Sequence, residues 1–306
     1  ERSGKLDRTL EFIPSDEEIA ERLAQGKGLT RPELSVLLAY SKMVLKEDLV
    51  CPEITDNEYY QSLLIEAFPQ QLQDKYTAQM QEHPLRAEII ATKLANNIGN
   101  DMGFNFVNRM IEETGATTAE ITNCYSMSCE VFELSDVWKQ ISDLDNKIST
   151  SIQTEMLFQL RRTVRRATRW FLRHRNKALN IEQSIEFYHA TFADLSSTIT
   201  TFMVEDEAAQ LKRVENDLVK AGAPASVALR ISLLSTLFSA MDLAEISHAE
   251  DRSIELVTDL YFKLGARLEL HWFLDQITSQ PVSNHWQALA RASFREELDW
   301  QQRTLA

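Results

Sequence analysis

The sequence predicts an all-α protein, a bundle-like array of many helices with little or no sheet. Gly (8) and Pro (7) are scarce among 306 residues. Leu, Ala, Glu, Gln and Arg, which lose little side-chain freedom in a helix, are plentiful. Apolar residues recur three or four positions apart in one segment after another. No segment alternates apolar and polar residues with the β-branched enrichment of a strand.

The first two helices are predicted from their starts. Ser15 and Glu18 form a capping box, in which the serine accepts a hydrogen bond from the third amide and the glutamate reaches back to the cap. Thr30 and Glu33 form a second box. Pro32 lies in the first turn of that helix, where its missing N–H costs nothing.

Further helices follow from breaks and apolar periodicity. A long helix is expected after Pro84, with an apolar row from Leu85 to Met110 and an end at Gly115. Six more are predicted over residues 149–175, 181–202, 206–221, 225–241, 251–278 and 284–303. The helix after Asp251 is apolar on more than one side, so we expect it to be central and covered.

The length suggests roughly two domains. We place an N-terminal helical subdomain at residues 1–116 and a C-terminal one at residues 117–306. The boundary rests on the break at Gly115 to Thr118, and one continuous domain is the alternative. Because the chain does not begin with Met, we expect it to be a piece of a longer polypeptide, and N-terminal processing is the alternative.

Charge and cysteine content narrow the partners and the compartment. The net charge is −14 and the pI about 5.0, and an acidic surface repels nucleic-acid phosphates and anionic lipid. No uncharged apolar run is long enough to cross a bilayer. We therefore expect neither a nucleic-acid nor a membrane partner. Three cysteines are too few and too scattered for a disulfide framework, which favours a reducing cytoplasm.

No pattern of catalytic or cofactor-binding residues is present in the sequence. A dinucleotide fold needs a strand, a glycine-rich turn and a helix, but the pair Gly26 and Gly28 lies between two predicted helices. Phosphate-loop, serine-hydrolase and zinc-protease motifs are missing. Cys124 and Cys129 match metal-ligand spacing only loosely, and no second pair exists. We predict no catalytic, cofactor-binding or metal residue in this segment.

The strongest local feature is an arginine-rich segment, Arg161–Arg175, on the predicted helix 149–175. A helical projection places four arginines on one row almost opposite the apolar stripe: Arg162, Arg166, Arg169 and Arg173. Like charges one turn apart repel, so the row requires anions nearby. Carboxylates within the chain or a neighbouring domain, a subunit interface, and nucleic acid are the three alternatives.

A second polar face is predicted on the helix after Pro84, where Asn97, Asp101, Asn105 and Asn108 fall together. Asn and Asp compete for backbone hydrogen bonds and are mediocre helix residues. A solvated face with close helix packing is one interpretation, and a polar network that holds another segment is the other. We name this face and the arginine row as candidate interdomain or subunit contacts.

Two E-x-x-H motifs, Glu186 with His189 and Glu245 with His248, raise the alternative of a helical di-iron site. Such a site uses two of these motifs and a further Glu from each of two helices. Glu and His occur often enough here for a chance match. Half-buried or surface histidines are the plainer interpretation.

Four segments resemble the large-type NAD-specific glutamate dehydrogenases of bacteria. They are GLTRPELSVLLAYSK at residues 28–42, HPLRAEIIATKLANNIG at residues 83–99, the arginine segment at residues 161–175, and LARASFREEL at residues 289–298. The motifs are long and ordered as in that family, whose sequences continue slightly beyond the position of Ala306. The resemblance spans essentially the whole chain.

The resemblance implies a role for the chain as the helical C-terminal region of a much longer enzyme. The catalytic lysine and aspartate of that family lie upstream, and nothing here matches them. The parent chain is then expected to use NAD to deaminate glutamate oxidatively to 2-oxoglutarate and ammonium. This segment is expected to be inactive alone, to pack on the catalytic core of the same polypeptide, and to belong to a homo-oligomer. Assembly, interdomain packing and regulation are the expected roles.

Overall fold

The structure is a computed structural model that describes residues 4–175 and 179–306. Over these residues it is all-α, with seventeen α-helices, two short 3-10 turns and no strand. The predicted fold class is confirmed. The chain divides into two compact units, Glu1–Asn123 and Cys124–Ala306. The division falls within a helix that begins at Thr118, close to the predicted boundary at residue 116. Whether these units are independent domains stays a prediction.

The first unit contains seven helices and the start of an eighth. They are α1 (Asp16–Ala24), α2 (Arg31–Leu49), α3 (Pro52–Thr55), α4 (Gln61–Ile65), α5 (Gln70–Gln81), α6 (Arg86–Met102), α7 (Phe106–Thr114) and α8 (Thr118–Val131). Both predicted capping boxes form, at Ser15 and at Thr30. Arg22 near the end of α1 donates to Glu33 in the first turn of α2 at 2.9 Å, which fixes the connection between the two helices.

Helix α6 forms the centre of the first unit and packs against α2, α3 and α4. Ile90, Leu94 and Ile98 are fully or almost fully buried, and they lie four residues apart on one face. The small residues Ala91 and Ala95 are fully buried beside them, where they allow close helix approach. The apolar row predicted for this segment is therefore its core face.

The long helix predicted from Leu85 to Met110 is two helices. Gly103 has φ 84° and ψ 154°, which ends α6, and α7 begins at Phe106. The Phe104 ring in the break folds back onto Gly99, where a Cβ would lie 2.3 Å from a ring carbon. The absence of a side chain at Gly99 thus makes room for the Phe104 ring.

The second unit contains the end of α8 and nine further helices. They are α9 (Leu134–Ser142), α10 (Thr150–His174), α11 (Ile181–Thr198), α12 (Glu205–Lys220), α13 (Ala225–Leu237), α14 (Ala240–Ala249), α15 (Ile254–Arg267), α16 (Leu270–Ser279) and α17 (His285–Leu305). Ser149 caps α10 and Asn284 caps α17. Two predictions are wrong in extent: segments 225–241 and 251–278 each contain a break, because the chain turns at Ser239 and again at Glu269, whose φ is +52°.

The core of the second unit lies around α10, α11, α13 and α14. Helix α10 packs against α9 and α13, and α11 packs against α14. The Trp170 ring meets Phe171 and Tyr188 edge-on, at centroid distances of 5.4 Å. Such contacts stabilise aromatic cores beyond the burial of area alone.

The segment after Asp251 is not covered on both sides, contrary to our expectation. One row is buried, including Val257 and Tyr261 of α15, but Leu256, Leu260 and Trp272 are about half exposed. Among the described residues, no single helix is long and apolar enough to span a membrane. One pair of consecutive helices, α13 and α14, bent by 46° at the break between them, is long and apolar enough together by length and composition only.

Candidate functional site

The arginine row on α10 is paired largely within the second unit. Arg166 donates to Asp299 on α17 at 3.1 Å, and Arg169 donates to Glu296 on the same helix at 2.7 Å. Arg173 binds the other oxygen of Glu296. Arg162 is exposed and makes no ion pair among the residues that the structure describes. Three of the four predicted arginines are therefore held by internal carboxylates.

These pairs belong to a larger charged layer beneath the last helix, which we call the α17 seam. The seam comprises Arg166, Arg169 and Arg173 of α10, Asp242 and Glu245 of α14, and Arg295, Glu296, Asp299 and Arg303 of α17. Five arginines meet four carboxylates there. Long arginine side chains bridge α10 to α17, while α17 packs directly against α14, α15 and α16.

Burial differs across the seam and sets the importance of each pair. The Arg169 side chain is 7% exposed, and its partner Glu296 is about a quarter exposed. An isolated charge in that position would be costly, whereas the hydrogen-bonded pair is tolerated. Arg173 is nearly half exposed, so water screens its bond to the same carboxylate. Arg169 is therefore the arginine whose loss the seam tolerates least.

Asp242 lies at the inner end of the seam with a side chain only 4% exposed. Its carboxylate accepts a hydrogen bond from the indole N–H of Trp170 at 2.8 Å. Arg303 Nη1 approaches the same oxygen to 3.6 Å. Burial raises the pKa of this carboxyl to about 7, and the Trp170 bond and the Arg303 charge only partly offset that effect. Asp242 is thus the carboxyl of the seam that changes charge near neutral pH.

Other groups close the inner end of the seam. The Tyr188 hydroxyl donates to Glu245, which also faces Arg303 at 4.0 Å. The Arg303 guanidinium lies over the Trp170 ring, 5.5 Å from its centroid. His174 lies beside the same ring, and burial together with the charges of two arginines lowers the pKa of its imidazole to about 4. A neutral His174 therefore adds no further positive charge at neutral pH.

Positive charge is crowded at the outer end of the seam. Burial, followed by the charge of Arg166, lowers the pKa of the Arg295 guanidinium to about 10. The Arg166 guanidinium lies over the Phe238 ring, with its central carbon 3.8 Å from the ring centroid, which provides a second favourable contact beside Asp299. The seam joins helices through charge and shows no arrangement of nucleophile and base.

The predicted asparagine face does not lie on a single helix. Because α6 ends at Gly103, Asn97 and Asp101 lie on α6, whereas Asn108 lies on α7 and Asn105 lies just before it. Asn97, Asn105 and Asn108 are exposed, and Asp101 is half-buried. Their assignment as interdomain or subunit contacts stays a prediction.

Asn108 instead lines a pocket of about 210 Å³ between α2 and α7 in the first unit. The wall is mostly apolar, with Leu37, Val44 and Val107 among its side chains. Two of its polar groups are engaged by neighbours: Lys5 pairs with Glu47, and the Tyr40 hydroxyl donates to Glu11.

The two E-x-x-H motifs lie on α11 and α14, which pack together, but three of the four side chains have other partners. His189 contacts Glu133 at 3.0 Å, and the His248 ring packs edge-on against Phe187. Glu245 is engaged in the seam. Across residues 4–175 and 179–306, no three His, Cys, Asp or Glu side chains are grouped as ligands of a metal ion. The di-iron alternative has no geometric support.

Sequence patterns missed the carboxylate half of the seam. Glu296 and Asp299 belong to an apparently ordinary amphipathic helix, and Asp242 looked like a helical residue without special role. One signal was available: a row of arginines in a chain of charge −14 has to meet carboxylates somewhere. Their position about 130 residues away could not be read from spacing.

Comparison with known proteins places these features in a family. A family model described as "Glutamate dehydrogenase, C-terminal" matches residues 26–306. The NAD-specific glutamate dehydrogenase of Pseudomonas aeruginosa is 40% identical over 306 residues, and that of Halomonas elongata is 38% identical over 305. Both alignments cover the whole of this chain. The enzyme of Mycobacterium tuberculosis is 29% identical over 293 residues, which is 96% of the chain. The chain spans 18–19% of the length of these relatives.

Proposed function

Because the chain belongs to the glutamate dehydrogenase C-terminal family, we propose that it is a non-catalytic helical module of an NAD-specific glutamate dehydrogenase. Its full-length polypeptide oxidises L-glutamate with NAD and water to 2-oxoglutarate and ammonium, with transfer of a hydride to NAD. The module supports assembly and regulation of that enzyme in the cytoplasm, packs on the catalytic region of the same polypeptide, and takes part in a homo-oligomer.

One observation carries the proposal. The relatives named as NAD-specific glutamate dehydrogenases align with this chain along all or nearly all of its length, yet it is less than a fifth of each. The helical architecture agrees with a non-catalytic role, because a dinucleotide site of the common type needs a strand and a glycine-rich turn. The described residues contain no strand.

The test compares the 306-residue chain with the full-length polypeptide. We expect the full-length protein to reduce NAD with glutamate and the 306-residue chain to give no turnover at equal molar concentration. Circular dichroism must show that the isolated chain is helical, so that inactivity is not a consequence of unfolding. Turnover by the isolated chain would contradict a non-catalytic role, and an inactive full-length protein would contradict the assignment of activity.

A further inference from the structure

The last helix, α17, is inverted relative to an ordinary amphipathic helix of a soluble protein. Its inward face carries the charged residues of the α17 seam, together with Arg291. Its outward face carries four large apolar side chains: Trp286 (75% exposed), Phe294 (62%), Trp300 (46%) and Leu305 (60%). At 100° per residue these four fall within an arc of about 140°, and Glu297 is the single charged residue in that arc.

The α17 seam fixes this orientation. A half-turn of α17 about its axis would separate Asp299 from Arg166 and Glu296 from Arg169, and it would leave those arginines without carboxylates. Removing one partner of a poorly exposed pair is strongly unfavourable. The Gln302 side chain adds a bond to the Tyr261 carbonyl at 3.2 Å, which also holds the inward face in place. The apolar face points outward because the charged face is bound.

An apolar face of this kind requires a cover. At the stated exposures, four such side chains present on the order of 600 Å², which equals the largest patch of a typical monomer. The neighbouring helix α16 also exposes Trp272 and Phe273. Aromatic side chains are enriched at protein interfaces, whereas surfaces in permanent contact with water keep few of them.

We propose that the outward face of α17 is the docking surface for the preceding part of the same polypeptide, which meets it with an apolar, weakly charged surface. This rests on the proposed function, in which the chain is one part of a long enzyme. In the relatives, about four fifths of the polypeptide lies outside the matched region, so a large partner is always tethered to this face. A tethered partner meets this face at an effective concentration that is set by the length and stiffness of the connection and does not depend on dilution.

The area of the face favours the tethered occupant over a second copy. A stable complex between separate proteins buries about 800 Å² on each side, more than the four side chains of α17 present. An intramolecular contact needs less, because the tether has already removed most of the translational freedom. The near absence of charge also implies that the partner surface is apolar, since a desolvated charge without a counterpart would weaken the contact.

The experiment measures thiol labelling at single positions in the full-length enzyme. Phe294→Cys and Trp286→Cys report the outward face, and Val214→Cys on the highly charged helix α12 is the matched control, because Val214 is also exposed (44%). Maleimide labelling is followed peptide by peptide with mass spectrometry. We expect both reporters to label at least tenfold more slowly than the control. Labelling of both at the control rate would overturn the proposal.

The occupant is identified by a benzophenone amino acid in place of Phe294. Cross-links to peptides upstream of this chain, with protection that does not change on dilution, support the tethered partner. Cross-links to a second copy, or protection that disappears on dilution, would overturn it. Glutamate-dependent NAD reduction by each variant separates the two claims. Protected reporters in an inactive enzyme count against the proposed function alone, and unprotected reporters in an active enzyme count against docking alone.

Discussion

Replacement of Asp242 by Asn should flatten part of the dependence of stability on pH. Burial raises the pKa of this carboxyl from 3.8 to about 7, so the folded chain binds the proton more tightly than the unfolded chain. The sign follows: the stabilising contribution is complete below pH 3.8 and is lost as the pH rises to about 7. The amide keeps an oxygen to accept the Trp170 N–H, but it cannot become charged.

The magnitude follows from the two pKa values. Between about pH 5.5 and pH 8, proton loss from Asp242 lowers the free energy of unfolding by about 2 kcal/mol. His174 changes stability in the opposite direction over the same window, because its pKa is lowered to about 4 and its stabilising contribution grows as the pH rises towards 6.5. The useful quantity is therefore the difference between wild type and variant at each pH, from which the His174 contribution cancels.

The assay is denaturant unfolding followed by tryptophan fluorescence. All five tryptophans lie at or beyond residue 138, so the signal reports the second unit alone. We expect Asp242→Asn to match wild type near pH 5.5 and to exceed it by about 2 kcal/mol near pH 8. Asp217→Asn, at an exposed position on α12, is the control and should follow wild type at both pH values. Parallel wild-type and Asp242→Asn curves would refute the link between burial and protonation.

Two further substitutions test the packing of each unit. Arg169→Met removes the least exposed arginine of the α17 seam and should lower the free energy of unfolding, followed by fluorescence, by about 2 kcal/mol. Arg162→Met is the control and should change it by less than about 0.5 kcal/mol. Equal effects of the two substitutions would contradict the assigned partners. Gly99→Ala forces a methyl group into the Phe104 ring and should cost about 1 to 2 kcal/mol, whereas Gly28→Ala has open space around it and should be nearly neutral. Hydrogen exchange of the α6 amides measures the effect of both glycine substitutions on stability, because the first unit contains no tryptophan. Unchanged protection of these amides in Gly99→Ala would contradict the close contact.

Helices with local start signals were predictable from the sequence, because the signal lies within the first turn. The capping boxes at Ser15 and Thr30 both form where the sequence placed them. Helix ends without Gly or Pro were not predictable. Glu133 lies between α8 and α9 with φ +47°, and its carboxylate accepts bonds from Arg230 and His189, which lie on distant helices. A break set by such tertiary contacts leaves no mark in the local pattern.

Partner identity was the other limit. The arginine row predicted that anions must lie nearby, with carboxylates as one of three alternatives. Its spacing could not point to Glu296 and Asp299, which lie on a helix about 130 residues away. Amphipathic periodicity gives the direction of two faces and not which of them turns inward. In α17 the ion pairs with α10 hold the charged face inward, against the usual rule.

The α17 seam and the exposed aromatic face both follow from the rotation of α17 about its own axis. A helix that buried Trp286, Phe294 and Trp300 in this unit would turn its charges to water and leave the arginines of α10 without partners. Apolar burial within the unit would then come at the expense of several charge-assisted hydrogen bonds. The observed rotation keeps those bonds. The free energy that burial of the apolar side chains would contribute can then be gained only in a contact outside the unit. A module that must join a larger polypeptide can therefore have a last helix whose packing is complete only after docking.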